Sequence, residues 1–160
     1  VELDTDPRAI VLEVGTGSGA VAVSIAAERP AATVIATEVS VEAIAFARSN
    51  ATRHAPGLLL LLGDLAAPVA YASVVLANLP YIPRWEIDAL EPEVSKWEPR
   101  VALDGGEDGY ELIRKLIHDC ASRLKPRLLT LEVGFGQAED VAEVDVGVGA
   151  LGRPGEVREL

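Results

Sequence analysis

An apolar run, a glycine-rich turn and an alanine-rich segment follow one another at residues 9–29, and they constrain the fold more than any other stretch. Residues 9–14 (A-I-V-L-E-V) are mostly apolar and include β-branched side chains, which is typical of a strand buried on both faces of a parallel sheet. Residues 15–19 read G-T-G-S-G, and the alanine-rich segment that follows ends at Pro30, which predicts a helix. Glycines let a ligand approach the backbone closely, and the first N–H groups of a helix point outward. The stretch therefore predicts an α/β fold with a site for a nucleotide-like ligand.

The glycine turn alone leaves the ligand open. Gly15, Gly17 and Ala20 satisfy the G-x-G-x-x-G/A pattern of nicotinamide-binding folds, so a dinucleotide dehydrogenase is one interpretation. Glu13 and Gly19 extend the turn to E-x-G-x-G-x-G, which resembles the first motif of S-adenosylmethionine-dependent methyltransferases. A glycine loop without any ligand is the third interpretation.

Polar residues stand at the ends of several further predicted strands. Glu38 ends the second predicted strand, about twenty residues beyond the glycine turn, where an acidic side chain accepts hydrogen bonds from ribose hydroxyls in dinucleotide folds. Asp64 follows the third strand, and Asn78 follows the fourth. Because ligands of open α/β sheets bind at the carboxyl ends of the strands, we expect these side chains at one site. The strands after the first are predicted at residues 33–38, 58–62, 73–77 and 128–133.

The fourth strand leads into the sequence Asn-Leu-Pro-Tyr-Ile-Pro, which predicts a site for an –NH2 group. Asn78 offers a side-chain carbonyl and Leu79 a main-chain carbonyl, while Pro80 restricts the backbone on both sides of its own peptide bond. Two acceptors at a fixed angle match the two N–H donors of a planar amine or amide, and Tyr81 supplies an aromatic face for the flat group. The alternative interpretation is a turn, since Asn and Pro are common turn residues.

Composition limits the class of protein. The 160 residues suffice for one domain, and no apolar run approaches the ~18 residues of a membrane span. The net charge of −11, from 14 basic and 25 acidic residues, disfavours nucleic acid as the main partner. One cysteine, which we expect to be buried, and two histidines predict neither an internal disulfide nor a metal site. These features predict a soluble, cytoplasmic protein without a metal.

The chain resembles the HemK-type protein-(glutamine-N5) methyltransferases that modify peptide-chain release factors. The glycine turn with Glu13, the acidic Glu38 and the Asn-x-Pro-Tyr sequence fall in that family's order and approximate spacing. A downstream series that general methyltransferases lack is also present. Its members are E-V at 93–94, E-P at 98–99, A-L-D-G-G at 102–106, D-G at 108–109, L-K-P at 124–126, L-E-V-G at 131–134 and Gln137.

The resemblance implies a Rossmann-like class I fold, with a mostly parallel seven-stranded sheet, one antiparallel strand near the C-terminus and helices on both faces. It implies S-adenosylmethionine as the cofactor and the glutamine of a release-factor Gly-Gly-Gln segment as the methyl acceptor. Glu13 belongs to the implied cofactor motif, and Asn78, Leu79, Pro80 and Tyr81 would hold the acceptor amide. The remaining implied cofactor contacts are Gly15, Gly17 and Gly19 to the methionine part, Glu38 to the ribose, Asp64 with Leu65 to the adenine, and Asn78.

Two departures from the family pattern affect the expectations. The usual Asn-Pro-Pro-Tyr is Asn-Leu-Pro-Tyr here, a form also seen in RNA adenine dimethyltransferases, so an adenine-N6 nucleic-acid methyltransferase is an alternative. The family's N-terminal helical domain has no counterpart before Val1, and residues 1–160 are expected to form a single catalytic domain. A cofactor-binding module without catalysis is the remaining alternative, and the pattern does not specify the oligomeric state.

Overall fold

The computed structural model describes residues 6–95 and 97–144. Strands and helices alternate through the first part of this region, as the sequence predicts. In chain order the elements are β1 (Ile10–Val14), α1 (Ala20–Glu28), β2 (Thr33–Glu38), α2 (Val41–His54), β3 (Leu59–Leu62), β4 (Val74–Asn78), α3 (Pro92–Ser95), α4 (Glu111–Asp119), β5 (Leu128–Glu132) and α5 (Ala138–Ala142). Short 3₁₀ turns at Ile87–Ala89 and Arg100–Ala102 precede and follow α3.

The chain divides into two compact units. One unit comprises residues 1–78 and 122–131, and the other comprises residues 79–121 and 132–160. The first unit carries the sheet, apart from the last residue of β5, together with α1 and α2.

The sheet has the strand order β3-β2-β1-β4-β5. β1 runs parallel to β2 on one side and to β4 on the other, and β2 runs parallel to β3. The register places Val14 opposite both Thr37 and Ala77, and Glu38 opposite Leu62. The carboxyl ends of four strands are therefore level at one edge of the sheet.

The core of the first unit lies around the central strand. Val11, Leu12 and Val14 of β1 have no solvent exposure, which confirms the expectation of a strand buried on both faces. Alanines of the flanking helices let them approach the sheet closely, with Ala22 of α1 and Ala47 of α2 fully buried. The Ser40 hydroxyl caps α2 by accepting from the Ala43 N–H at 3.1 Å.

The second unit is organised by a short backbone ladder. The Ile82 N–H donates to the Leu103 carbonyl at 3.2 Å, and the Gly105 N–H donates to the Ile82 carbonyl at 2.9 Å. The Arg84 N–H then donates to the Gly106 carbonyl at 2.8 Å. The segment that follows the Asn-Leu-Pro sequence is thus bonded to a stretch about twenty residues further along the chain.

The predicted strands are confirmed to within about one residue at each end. The spacing of apolar residues also predicts one helix over residues 110–124, and there the structure differs. This segment is an α-helix only over Glu111–Asp119 and continues as a π-helical turn over Cys120–Leu124. Cys120 is fully buried, as expected. The sequence also predicts a closing strand at 156–160, after a segment in which Val144, Val146 and Val148 alternate with polar or glycine positions. Apart from Val144, this tail lies outside the described residues. Over residues 6–95 and 97–144, no helix has the length and apolar character needed to cross a membrane.

Candidate functional site

Four polar or glycine-containing segments meet at the carboxyl edge of the sheet. The glycine turn follows Val14, Glu38 ends β2, Asp64 follows β3 by two residues, and Asn78 ends β4. Because the register makes these strand ends level, residues far apart in sequence share one edge of the first unit. The sequence predicted this grouping from the position of each residue at a strand end.

The glycine turn is fixed by neighbours on both sides. The N–H groups of Gly15 and Thr16 both donate to the Thr37 carbonyl at 3.0 Å, which ties the turn to β2. Gly19 has φ of +81°, and a Cβ there would lie 3.1 Å from the Cβ of Ala47 on α2, so a side chain would be both strained and crowded. Asn50 of α2 was not expected at the site, yet its side-chain NH2 donates to the Ser18 carbonyl at 2.9 Å.

Glu13 lies beneath the turn and is buried, with 7% of its surface exposed. Its carboxylate accepts from the Thr16 hydroxyl and, at 3.0 Å, from the Ala22 N–H in the first turn of α1. Burial raises the pKa of Glu13 above its usual value, the two hydrogen bonds oppose that change, and the charge of Glu38 adds to it. The geometry gives Glu13 the role of joining the glycine turn to the start of α1.

Glu38 accepts three backbone hydrogen bonds. One carboxylate oxygen accepts from the Gly17 N–H at 2.8 Å, and the other accepts from the N–H groups of Val39 and Ser40, both at 2.9 Å. The side chain is 8% exposed. Glu38 therefore shapes both the glycine turn and the entry to α2, a role that its position in the sequence did not reveal.

The turn after β3 presents Asp64 to solvent. The Gly63 N–H donates to the Glu38 carbonyl at 2.9 Å, which continues the level edge from β2 to β3. Leu65, half-buried, has φ of +44°, a conformation that costs a non-glycine residue on the order of 1–3 kcal/mol. Such strain persists only where the surroundings fix the backbone, and here it accompanies the pair of residues expected at the adenine.

Asn78 is the last residue of β4 rather than the first after it, and its side chain is exposed. The chain then enters the second unit, in which Leu79 is 4% exposed and Pro80 and Tyr81 are half-buried. The structure thus presents the Asn78 amide at the same edge as the glycine turn, within the first unit. Leu79 is joined to it by a peptide bond.

Tyr81 has a partner that the sequence reasoning did not assign to the site. The side-chain NH2 of Gln137 donates to the Tyr81 carbonyl at 3.0 Å, and its side-chain oxygen accepts from the Gly134 N–H at 2.8 Å. The only signal in the sequence was that Gln137 belongs to the downstream series of the resemblance.

The second unit also contains an open cavity of about 440 Å³. An ion pair of 2.9 Å between Arg84 and Asp104 contributes to its lining, and this pairing lowers the pKa of Asp104. Its described lining includes none of the residues expected at the site. Across the described part of the chain, no group of three or more His, Cys, Asp or Glu side chains could hold a metal ion.

Comparisons with known proteins bear on the family and the fold of this chain. The profile of the family described as methyltransferase small domain matches residues 1–88, more than half of the chain. Release factor glutamine methyltransferase from Geobacter sulfurreducens is 43% identical over 136 residues, which cover 83% of this chain and 48% of that protein. The protein of the same name from Gloeobacter violaceus is 43% identical over 139 residues, which cover 84% of this chain and 49% of that protein.

The chain spans about half the length of these curated relatives. Among solved structures, ribosomal protein L11 methylase from Lactobacillus delbrueckii subsp. bulgaricus superposes with a TM-score of 0.61. The match covers 89% of this chain and 61% of that chain at 21% identity, and it bears on the fold alone. The chain therefore belongs to the methyltransferase small domain family and has the Rossmann-like α/β fold of class I S-adenosylmethionine-dependent methyltransferases.

Proposed function

We propose that this chain carries the catalytic part of an enzyme that methylates the side-chain amide nitrogen of a glutamine in a peptide-chain release factor. The observation that carries the proposal is the exposed amide of Asn78, at the edge of the sheet where the glycine turn and Glu38 also lie. The relatives support the substrate class, since the release factor glutamine methyltransferases from Geobacter sulfurreducens and Gloeobacter violaceus are each 43% identical to this chain over the aligned residues.

The residues present at the edge fit S-adenosylmethionine. A Cβ at Gly17 would meet no atom within 4 Å, so the backbone there is open to a ligand. Three of the roughly four acceptor positions of the Glu38 carboxylate are used by backbone N–H groups, which leaves one for a ribose hydroxyl. The exposed Asp64, with the half-buried Leu65, would border the adenine.

Gly15, Gly17 and Gly19 form the part of the cofactor site beside the methionine portion in this proposal. Glu13 acts there by holding the turn against α1, because its carboxylate already accepts from Thr16 and Ala22. When bound, the cofactor supplies an electrophilic methyl group on a positively charged sulfur.

The acceptor amide is held by the chain's own acceptors. An amide nitrogen is a poor nucleophile because its lone pair is delocalised into the carbonyl. The enzyme must therefore orient the amide and favour the form that has more electron density on the nitrogen. The two N–H groups of the glutamine would donate hydrogen bonds to the side-chain oxygen of Asn78 and to the main-chain carbonyl of Leu79. These two residues are consecutive, and only Pro80 separates them from Tyr81. Tyr81 would pack against the plane of the amide. No titrating base is required for this orientation. The nitrogen that gains the methyl group would release one of its two protons to solvent, and the sulfur would keep the electron pair of the bond that breaks.

Methyl transfer from radiolabelled S-adenosylmethionine to a purified release factor containing Gly-Gly-Gln tests the proposal. We expect Asn78→Ala to lower turnover by about 10²–10³-fold, as loss of a preorganised hydrogen-bonding group does elsewhere. Asn78→Asp should fail as well, because it keeps the size and adds a charge that must be desolvated beside the substrate. Both variants should still bind the cofactor with nearly the affinity of the unmodified chain, because Asn78 is one of several cofactor contacts that the resemblance implies.

The same assay separates the alternatives. Label in RNA but not in the release factor, with a steep loss of transfer as salt rises, would indicate an adenine-N6 nucleic-acid methyltransferase. Cofactor binding without transfer in a single turnover at high substrate concentration would indicate a non-catalytic module. Near-normal turnover in Asn78→Ala would remove Asn78 from the mechanism.

The single catalytic domain over residues 1–160 and the cytoplasmic location stay predictions.

A further inference from the structure

Tyr81 is held at its carbonyl by a side chain that lies 56 residues away in sequence. The Gln137 NH2 donates to this carbonyl at 3.0 Å, while the Gln137 oxygen accepts from the Gly134 N–H at 2.8 Å. One planar amide thereby links the segment after Pro80 to the turn after β5. Gln137 also begins α5, since its carbonyl accepts from the Val141 N–H at 3.0 Å.

The space around the Tyr81 carbonyl admits little movement. A Cβ at Gly109, where φ is +83°, would lie 2.5 Å from the Tyr81 oxygen and 3.2 Å from the Gln137 nitrogen. A Cβ at Gly134 would lie 3.0 Å from the Cδ2 atom of the Tyr81 ring. Glycine at both positions therefore lets the chain close around the backbone and the ring of Tyr81.

Backbone hydrogen bonds fix Ile82, the residue after Tyr81. Ile82 donates to Leu103 and accepts from Gly105 through its backbone. On the other side of Tyr81, Pro80 has a fixed φ. Between Pro80 and Ile82, the Tyr81 carbonyl has a side chain as its hydrogen-bond partner, and that side chain is Gln137.

We propose that Gln137 is a positioning residue for methyl transfer, one that orients Tyr81 and, through Pro80, the Leu79 carbonyl toward the acceptor amide. This inference rests on the proposed function. Gln137 itself does not contact the substrate in this proposal. A displacement of about 1 Å in such a group can lower turnover by about 10²-fold, so a single hydrogen bond to its backbone is sufficient for a measurable effect.

Two substitutions separate positioning of Tyr81 from support of the turn. Gln137→Glu keeps an oxygen that can accept from Gly134 but loses the donor to the Tyr81 carbonyl and places a carboxylate beside it. Gln137→Met has a similar length and makes neither bond. If Gln137 positions Tyr81, both variants should lower kcat by about 10- to 100-fold. If it serves only the turn, Gln137→Glu should keep the kcat of the unmodified chain.

The measurements are kcat for release-factor methylation and the Kd for S-adenosylmethionine by calorimetry, with thermal unfolding as a check of folding. Glu139→Gln, at an exposed position of α5, is the control and should leave both constants unchanged. Lower kcat with an unchanged cofactor Kd in Gln137→Glu supports the inference. If Gln137→Met does not fold, Gln137→Glu, which keeps the hydrogen bond of the turn, decides the question alone.

The possible failures are distinct. If the unmodified chain transfers no methyl group to the release factor, the proposed function and this inference both fail. If the unmodified chain is active and Gln137→Glu matches it, only the positioning role is overturned. A cofactor Kd that rises together with the loss of kcat in Gln137→Glu also overturns it, because the defect would then extend beyond the acceptor side.

Discussion

Glu38 has an observed structural role beside its predicted contact to the cofactor. Its place at the end of β2 predicted a contact to a ribose, and that prediction uses only the distance in sequence from the glycine turn. Its carboxylate accepts hydrogen bonds from the backbone N–H groups of Gly17, Val39 and Ser40, and no sequence pattern specifies these three bonds. The contact to Gly17 depends on the fold, because it joins residues 21 apart. A carboxylate fixed in this way is preorganised for a hydroxyl.

Glu13 gives a prediction about pH at the same scale. Burial raises its pKa, so the folded chain holds this proton more tightly than the unfolded chain does. The resulting stability is present below the usual pKa near 4.5 and is lost as pH rises through the higher pKa of the folded state. Glu13→Gln removes this titration and keeps an oxygen for the Ala22 N–H. We expect the free energy of unfolding of Glu13→Gln, relative to the unmodified chain, to increase as pH rises from the usual pKa of a glutamate to the higher pKa of folded Glu13.

Urea unfolding at a series of pH values measures this difference. Glu28→Gln, an exposed glutamate at the end of α1, controls for the loss of one acidic charge. A difference for Glu13→Gln that stays constant with pH would mean that burial does not dominate the ionisation of Glu13.

At the scale of elements, α2 stabilises the glycine turn from outside the β1–turn–α1 unit. Asn50 donates to the Ser18 carbonyl at 2.9 Å, and a typical hydrogen bond contributes about 0.5–1.5 kcal/mol. If the turn must be ordered to bind S-adenosylmethionine, Asn50→Ala should raise the cofactor Kd by about 2- to 10-fold. Thr52→Ala is the matched control, because the Thr52 hydroxyl bonds within α2, to the Arg48 carbonyl. Calorimetric titration gives both values, and equal Kd values would show that the turn does not need this bond.

The elements that the sequence predicted best are those with a single dominant pattern. The apolar runs of β1, β2 and β4 are bounded by glycine or polar residues, and their ends were placed to within about one residue. The π-helical turn at Cys120–Leu124 was not predicted, because α and π spacing place nearly the same apolar residues on one face. The change begins where the Cys120 N–H is shared between the carbonyls of Leu116 and Ile117.

For the whole molecule, the topology could be predicted more fully than the site. The parallel register makes the strand ends level, and this brings the glycine turn, Glu38, Asp64 and Asn78 to one edge of the sheet. The order of the strands is enough to predict that these residues share one edge. The bonds made by Asn50 and Gln137 depend on exact distances between loops and helices, which residue types do not encode. Local propensity therefore predicted which strand ends form the candidate site, and tertiary packing determined which side chains support them.

The choice between a methyl donor and a dinucleotide is decided at the scale of the whole molecule. Gly15 and Gly17 belong to both patterns, and the turn also contains the Ala20 of the nicotinamide pattern and the Gly19 of the methyltransferase pattern, so the turn cannot distinguish the two ligands. A ligand that binds only the folded chain stabilises it by about 2.7 kcal/mol at 100 times its Kd, which for a chain of this size raises the unfolding temperature by about 5–10 °C. We expect this rise with S-adenosylmethionine, and none with a nicotinamide dinucleotide at the same concentration. The sheet edge is common to both classes of protein, so the reverse result would keep the fold, exclude methyl transfer and leave a dehydrogenase as the interpretation.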